Sequence, residues 1–264
     1  MDLSQIKMVV SDMDGTLLNS NHEVSDRFFE LFEKLKARNI QFVAASGRQY
    51  HSMLSKLDHI KNDIIFIAEN GALIKQKEDE LSTTPLDQNL RAEILDSIQQ
   101  IENVDAMLCG KYVTYFDRNS EQLLNLVKEY YSNYEVVDNF YDVTDEIVKV
   151  AAFHPKSAEE YIHPRLEHLE DRLKVKVSGK YWVDLNHIDA HKGNALKMVL
   201  DKFGLRPNEV VAFGDYNNDL EMLELVDYSF AMANAHPNVK EVAKYETASH
   251  NDFGVERILE KILA

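Results

Sequence analysis

Four short polar clusters carry residue types that could act together on an anionic ligand. Asp12-Met13-Asp14-Gly15-Thr16 holds two carboxylates two residues apart. On a regular strand they would face opposite sides, so they converge on one site only if the chain turns, which Gly15 permits. In unlike environments, one carboxylate can be a nucleophile while the other moves a proton. Ser46-Gly47-Arg48 offers a hydroxyl, a glycine amide and the start of an expected helix, a combination suited to anions. Lys192, followed by Gly193, puts a cation at a second helix start. Gly214-Asp215-Tyr216-Asn217-Asn218-Asp219 ends a strand in carboxylates and amides, the oxygen-rich set a hard cation prefers. Each cluster also has a plain structural reading: an acidic turn, a serine N-cap, a solvated lysine, an Asx-rich turn.

The elements that must position these clusters place them on one edge. Lys7–Ser11, Gln41–Ala45, Asp63–Ala68 and Val210–Phe213 read as strands of uninterrupted aliphatic and β-branched residues, the pattern of parallel strands covered on both faces. In an open parallel sheet, ligands bind beyond the carboxyl ends of the strands. Ser25 caps a helix bearing Phe28, Phe29, Phe32 and Leu35 and ending near Asn39. Helices are also expected at His191–Phe203, stopped by Gly204, at Leu220–Leu225 and at Val255–Leu263, with a short strand at Ser229–Met232. Between Thr83 and Asn186 the pattern changes. Helices at Asp87–Ile101, Glu121–Tyr131 and Ala158–Asp171 alternate with strand-like runs at Asp105–Leu108, Tyr112–Phe116, Ile147–Phe153, Lys174–Val177 and Tyr181–Leu185. Turns at Gly110 and Gly179-Lys180 indicate antiparallel hairpins. An antiparallel α+β module is thus expected inside a parallel α/β core.

Composition bounds the partners. The chain has 264 residues with 29 Lys+Arg against 45 Asp+Glu, a formal net charge of −16. Nucleic acid and anionic membranes repel such a protein, so neither is an expected partner. An anionic substrate could still be held by a metal ion and a few fixed cations. Cys109 is the single cysteine, read as a small buried residue; no intrachain disulfide is possible. Without a signal-peptide pattern or a membrane-length apolar run, the expected location is cytoplasmic. His187 and His191 lack a third ligand for zinc. Tyr130, Tyr131, Tyr134 and Tyr141 are expected to pack the middle module, and no dinucleotide or Walker fingerprint occurs.

With DMDGTLL at 12–18, ASGR at 45–48, ENGA at 69–72, HKGNAL at 191–196 and VAFGDYNNDLEML at 211–223, the chain resembles Cof-type phosphatases of the haloacid dehalogenase-like superfamily, those with a large α/β (type IIB) cap. AMANA at 231–235 and NDFGVERIL at 251–259 extend the resemblance almost end to end; His191 and the stretch Tyr245-Glu246-Thr247 depart from it. The resemblance implies a Rossmann-like core from residues 1–82 and 187–264, with helices on both faces of a parallel sheet. Residues 83–186 would form an inserted α+β cap with an antiparallel sheet. It implies Asp12 as nucleophile and Asp14 as acid and base. Mg²⁺ would be held by Asp12, the Asp14 carbonyl and Asp215, with Asp219 close behind. Phosphoryl oxygens would be gripped by Ser46, Lys192, Asn218, Thr16 and amides near Met13 and Gly47, with Arg48 and Asn70 as possible substrate contacts. The substrate would be a small phosphorylated metabolite, such as a sugar phosphate, pyridoxal phosphate or flavin mononucleotide. Turns near Gly110-Lys111 and Ser178-Gly179-Lys180-Tyr181 would face it, in a monomer or small homo-oligomer. A phosphomutase would share the aspartyl-phosphate step; a dehalogenase has no need of Asp14; a non-catalytic phosphometabolite-binding protein would be expected to have lost Asp12 or Asp215.

Overall fold

A computed structural model describes residues 3–117, 123, 125 and 133–264. In chain order its strands are β1 (Met8–Asp12), β2 (Gln41–Ala45), β3 (Ile65–Ala68), β4 (Leu73–Gln76), β5 (Asp79–Thr83), β6 (Asp105–Gly110) and β7 (Thr114–Asp117). They continue as β8 (Tyr134–Val137), β9 (Ile147–Phe153), β10 (Leu173–Gly179), β11 (Trp182–His187), β12 (Val210–Gly214), β13 (Tyr228–Ala231) and β14 (Tyr245–Glu246). Two sheets result. The first runs β14-β13-β12-β1-β2-β3-β4-β5, and the second β10-β11-β9-β6-β7-β8.

From β14 to β3 the first sheet is parallel. Every residue of β1 is buried, as a strand with helices on both faces requires. The helix Asp26–Ala37 shows how the local code works. Ser25 accepts a hydrogen bond from the Phe28 amide at 3.0 Å, and Phe28, Leu31, Phe32 and Leu35 form the buried face. Phe28 meets Phe42 of β2 edge to face, with ring centroids 5.0 Å apart. Gly204, at φ 62°, ends the helix Lys192–Phe203 as expected. The second sheet has its own apolar cluster, which includes Ile94, Leu108, Val150 and Leu185. Among the described residues, no helix is long and apolar enough to cross a membrane.

The structure departs from the sequence expectations at several elements. The antiparallel strands β4 and β5 extend the first sheet; β5 is largely polar, with only Leu81 as an aliphatic residue, so hydropathy gives it no signal. β8, for which the sequence reading gives no strand, lies parallel to β7 in the otherwise antiparallel second sheet. The expected helix Ala158–Asp171 is instead two four-residue helices, Ala158–Tyr161 and His163–Leu166, followed by a 3₁₀ turn. Pro164, which lacks an amide proton, interrupts the ladder there. The expected helix Glu121–Tyr131, with Tyr130 and Tyr131, lies outside the described residues apart from positions 123 and 125. Cys109 is buried in β6, as expected; Tyr134 and Tyr141, expected to pack the middle module, are instead exposed, Tyr134 resting edge-on against Phe116 and Tyr141 donating its hydroxyl to Asp96.

Phe42 is fully buried and touches the rings of both Phe28 and Phe32. Phe42→Ala should cost about 3–5 kcal/mol of stability. Urea unfolding of wild type and variant checks this, and a midpoint shift worth less than about 1 kcal/mol would contradict the packing described.

Candidate active site

The parallel register brings the chemistry together. β1 lies between β12 and β2, with Ser11 opposite Phe213 and Asp12 opposite Ala45. The residues just past these strand ends, Asp215 and Ser46, therefore flank Asp12 at the carboxyl edge. The helix beginning at Lys192 delivers an ammonium group beneath them. Its Nζ donates to Asp12 Oδ1 at 2.5 Å and to Asp219 Oδ1 at 2.7 Å, and Lys192 and Asp219 are fully buried. Asp219 Oδ2 accepts the amides of Asp215 (3.0 Å) and Tyr216 (3.2 Å), which fixes the loop that presents Asp215. Thr16 Oγ1 donates to Asp215 Oδ1 at 3.4 Å. The second carboxylate oxygen of Asp12 is buried and has no hydrogen-bond partner among the described residues.

Three carboxylates thus share one lysine, and one oxygen from each of Asp12, Asp215 and Asp219 lies within 4.8 Å of the others. Burial pushes the Asp12 carboxyl well above its ordinary range; Lys192 opposes this, while Asp219 and Asp215 add to it. Burial and then the Asp219 charge raise Asp215 to about 7. Lys192 is shifted up: burial works against its charge, but Asp12 and Asp219 outweigh it. Gly15 is required by the same crowding. It sits at φ 78°, and a Cβ there would fall 2.2 Å from Asp215 Oδ2.

Asp14 lies on the open side of the turn. Arg48 grips it with two hydrogen bonds of 2.6 Å, and His22 stands 3.4 Å away. Although burial acts to raise its pKa, Arg48 and then His22 hold it below the usual carboxylate value. Ser46 and Gly47 do not open a helix, contrary to expectation. The next helix is Tyr50–Lys56, with Gln49 as its N-cap, because the Arg48 amide is taken by Ser46 Oγ at 3.1 Å. The segment expected to bind an anion is therefore a turn rather than a helix start. Asn70 faces both ways: its Oδ1 accepts from Asn218 Nδ2 at 3.0 Å, and its Nδ2 donates to Asp184 Oδ2 on β11 at 2.9 Å. Glu69 and Asn70 both have left-handed φ values, 49° and 58°.

A cleft of about 910 Å³ opens over this edge. Asp12, Asp14, Ser46, Gly47, Arg48, Asn70, Asp215 and Asn218 reach its wall, whereas Met13, Thr16, Lys192 and Asp219 are buried and do not line it. From the second sheet the expected turn Ser178–Tyr181 lines it, together with Met107, Trp182, Asp184 and Lys149. The Gly110-Lys111 turn does not: Lys111 is drawn to Glu80 at 3.2 Å and Glu146 at 2.6 Å. His191 caps the helix Lys192–Phe203 through its ring, Nδ1 accepting from the Asn194 amide at 3.3 Å. The sequence reading missed Lys149 and Asp184. Lys149 left a trace, a lysine inside the otherwise apolar run IVKVAAF.

A family model for haloacid dehalogenase-like hydrolases matches residues 9–259. The chain belongs to this family. It is 33% identical over 261 residues to the 5-amino-6-(5-phospho-D-ribitylamino)uracil phosphatase YbjI of Escherichia coli, covering 98% of this chain and 96% of that one. Among solved structures, SMU.1108c from Streptococcus mutans superposes with a TM-score of 0.91 at 30% identity, covering 98% and 99% of the two chains. The subclass IIB sugar phosphatase BT4131 shares the fold, with a TM-score of 0.85 at 20% identity over 97% and 98% of the chains. This haloacid dehalogenase-like hydrolase is of the Cof type and is a phosphoric monoester hydrolase.

Crowded carboxylates give the hydrolase a pH signature. Asp215 binds its proton more tightly folded than unfolded, so its stabilising contribution is present at acid pH and is lost as pH climbs from about 4 through about 7. With chelator present, Asp215→Asn should gain thermal stability relative to wild type on going from pH 5 to pH 8. Differential scanning calorimetry at both pH values tests this, and a constant difference in Tm would exclude the ionisation described.

Proposed function

We propose that this phosphatase transfers the phosphoryl group of a small metabolite monoester to Asp12 and then to water, with Mg²⁺ as its cofactor. The observation that carries the reading is the Asp12 carboxylate: Lys192 holds one oxygen, and the other is buried without a partner at the edge of the cleft. An Asp12 Oδ–P bond forms as the bond from phosphorus to the leaving oxygen breaks, and Asp14 supplies that oxygen's proton. Water then attacks phosphorus, returning a proton to Asp14 and releasing Asp12 and phosphate. Lys192, the Ser46 hydroxyl, Asn218 and amides near Met13 and Gly47 offset the charge of the transferring group, with Thr16 bracing the loop. The low pKa of Asp14 fits its ion pair with Arg48. For Asp14 to act as an acid, Arg48 must turn to the incoming substrate and release it.

The residues present suit a hard divalent cation. Three oxygen donors converge against a single lysine, two of them with raised pKa values, and Asp12 keeps an unpartnered oxygen. Asp12, the Asp14 carbonyl and Asp215 would hold Mg²⁺, with Asp219 ordering the loop behind. Bound there, it would screen the phosphate dianion from the attacking carboxylate.

For the leaving group, we infer a hydroxylated chain carrying a flat ring, the chemistry of the E. coli relative's substrate. Trp182, Tyr181 and Met107 give the cleft an aromatic and apolar wall, while Ser178 and Lys180 add polar groups.

Phosphate release should therefore require Mg²⁺, stop with chelator and fall about 10³-fold or more in Asp12→Asn. Release that persists undiminished in chelator removes the metal, and an active Asp12→Asn removes the nucleophile. In a panel of phosphorylated metabolites, Trp182→Ala should raise KM about tenfold for ring-bearing substrates and leave acyclic polyol phosphates unchanged. Equal effects on both classes would discard the ring-binding wall.

A further inference from the structure

We propose that Lys149, on the second sheet, is a positioning residue for the phosphate-binding turn of the first. This rests on the phosphatase reading above. Lys149 lies in β9 and is 2% exposed, yet its ammonium group leaves its own sheet for the other. It donates to the Gly47 carbonyl at 2.9 Å, pairs with Glu69 Oε2 at 2.6 Å, and lies 3.6 Å from Asp184 Oδ2.

The Gly47 carbonyl belongs to the peptide group whose other end is the Arg48 amide. That amide donates to Ser46 Oγ at 3.1 Å. Lys149 therefore fixes one end of a peptide plane whose other end occupies an acceptor site of the serine hydroxyl. The hydroxyl proton is left to point at a phosphoryl oxygen. Two further bonds stitch the turn to the segment that Lys149 grips: the Glu69 amide to the Arg48 carbonyl and the Asn70 amide to the Ser46 carbonyl, both 3.0 Å. Across the strand pair, Asn186 stands opposite Lys149 and donates to the Glu69 carbonyl at 3.3 Å. Neighbouring residues of the second sheet thus hold both the side chain and the backbone of Glu69, whose φ of 49° few non-glycine residues adopt. A Cβ at Gly47 would come within 2.9 Å of Asn70 Oδ1, so the turn has little room to settle elsewhere. The phosphate grip of the core is in this way completed by a residue of the cap.

The test compares wild type, Lys149→Met, Lys149→Arg and the charge-balanced double variant Glu69→Gln/Lys149→Gln, with Asp12→Asn alongside. Calorimetric titration with inorganic phosphate in Mg²⁺ is paired with steady-state hydrolysis of p-nitrophenyl phosphate. In Lys149→Met, kcat/KM should fall about 100-fold, the cost of a misplaced binding group. Phosphate affinity should fall about tenfold, and Lys149→Arg should recover most of both, since a guanidinium can still reach a carbonyl and a carboxylate. The double variant removes the Lys149–Glu69 pair together and keeps the net charge of the cluster, with Asp184 still accepting from Asn70 Nδ2, so it reports on position even if Lys149→Met fails to fold; it should show the same two losses. A folded Lys149→Met or double variant with wild-type phosphate affinity, KM and kcat overturns the inference while the phosphatase reading stands. A wild type that neither hydrolyses the ester nor binds phosphate overturns both.

Discussion

Everything at the carboxyl edge depends on one buried cation between two carboxylates. Lys192 is fully buried, and an ammonium group there is tolerable only because Asp12 and Asp219 accept from it within 2.7 Å. Breaking such a pair by removing one partner typically costs about 3–5 kcal/mol, so the three residues stand or fall together. The surrounding sequence serves that placement. Gly193 lets the lysine's helix pack against the backbone of Glu221, which a Cβ would approach to 2.7 Å. Gly214 likewise clears space for Asp219, whose side-chain atoms would otherwise lie 2.6–2.7 Å from a Cβ. Both glycines are explained by close approach rather than by unusual φ.

The lysine settles only part of the charge. Asp215 remains as a third carboxylate, and burial together with the neighbouring carboxylates raises the pKa of Asp12 and Asp215 despite the opposing charge of Lys192. The proposed cation answers that residue of charge, and the dianionic substrate answers the cation in turn. An overall charge of −16 is therefore no obstacle to an anionic substrate, because the local balance at the cleft differs from the average over the surface.

Much of this was legible because strand-end motifs obey a strict geometry. Asp12, Ser46 and Asp215 each follow an apolar run, and parallel register turns three distant segments into neighbours. The αL stop at Gly204 and the Ser25 cap were legible for equally local reasons. What escaped was non-local or polar. β5, DELST, holds its place by pairing with β4 rather than by an apolar face, so no periodicity announces it. Ser46 looked like a helix start because serine and glycine commonly precede helices, but the bond between Arg48 and Ser46 delays the helix to Tyr50. Lys111 was expected at the cleft, but Glu80 and Glu146, far from it in sequence, hold it away.

Lys149 illustrates the deeper limit. Within IVKVAAF its neighbours are all buried, and a strand's period of two offers no reason for a charge on that face. The reason lies in Glu69, eighty positions away by residue number, whose carboxylate is itself buried and raised in pKa by that burial. Two charges that each look like errors in their own segment become consistent once the two sheets meet. Core and cap thereby use one device twice: a buried lysine joining an acidic group to a loop that must not move. Lys192 joins Asp12, the proposed nucleophile, to the Asp215 loop through Asp219, and Lys149 joins Glu69 to the Ser46 turn. The difference is that the second lysine belongs to the other sheet, so the arrangement of the turn depends on how the two sheets are docked.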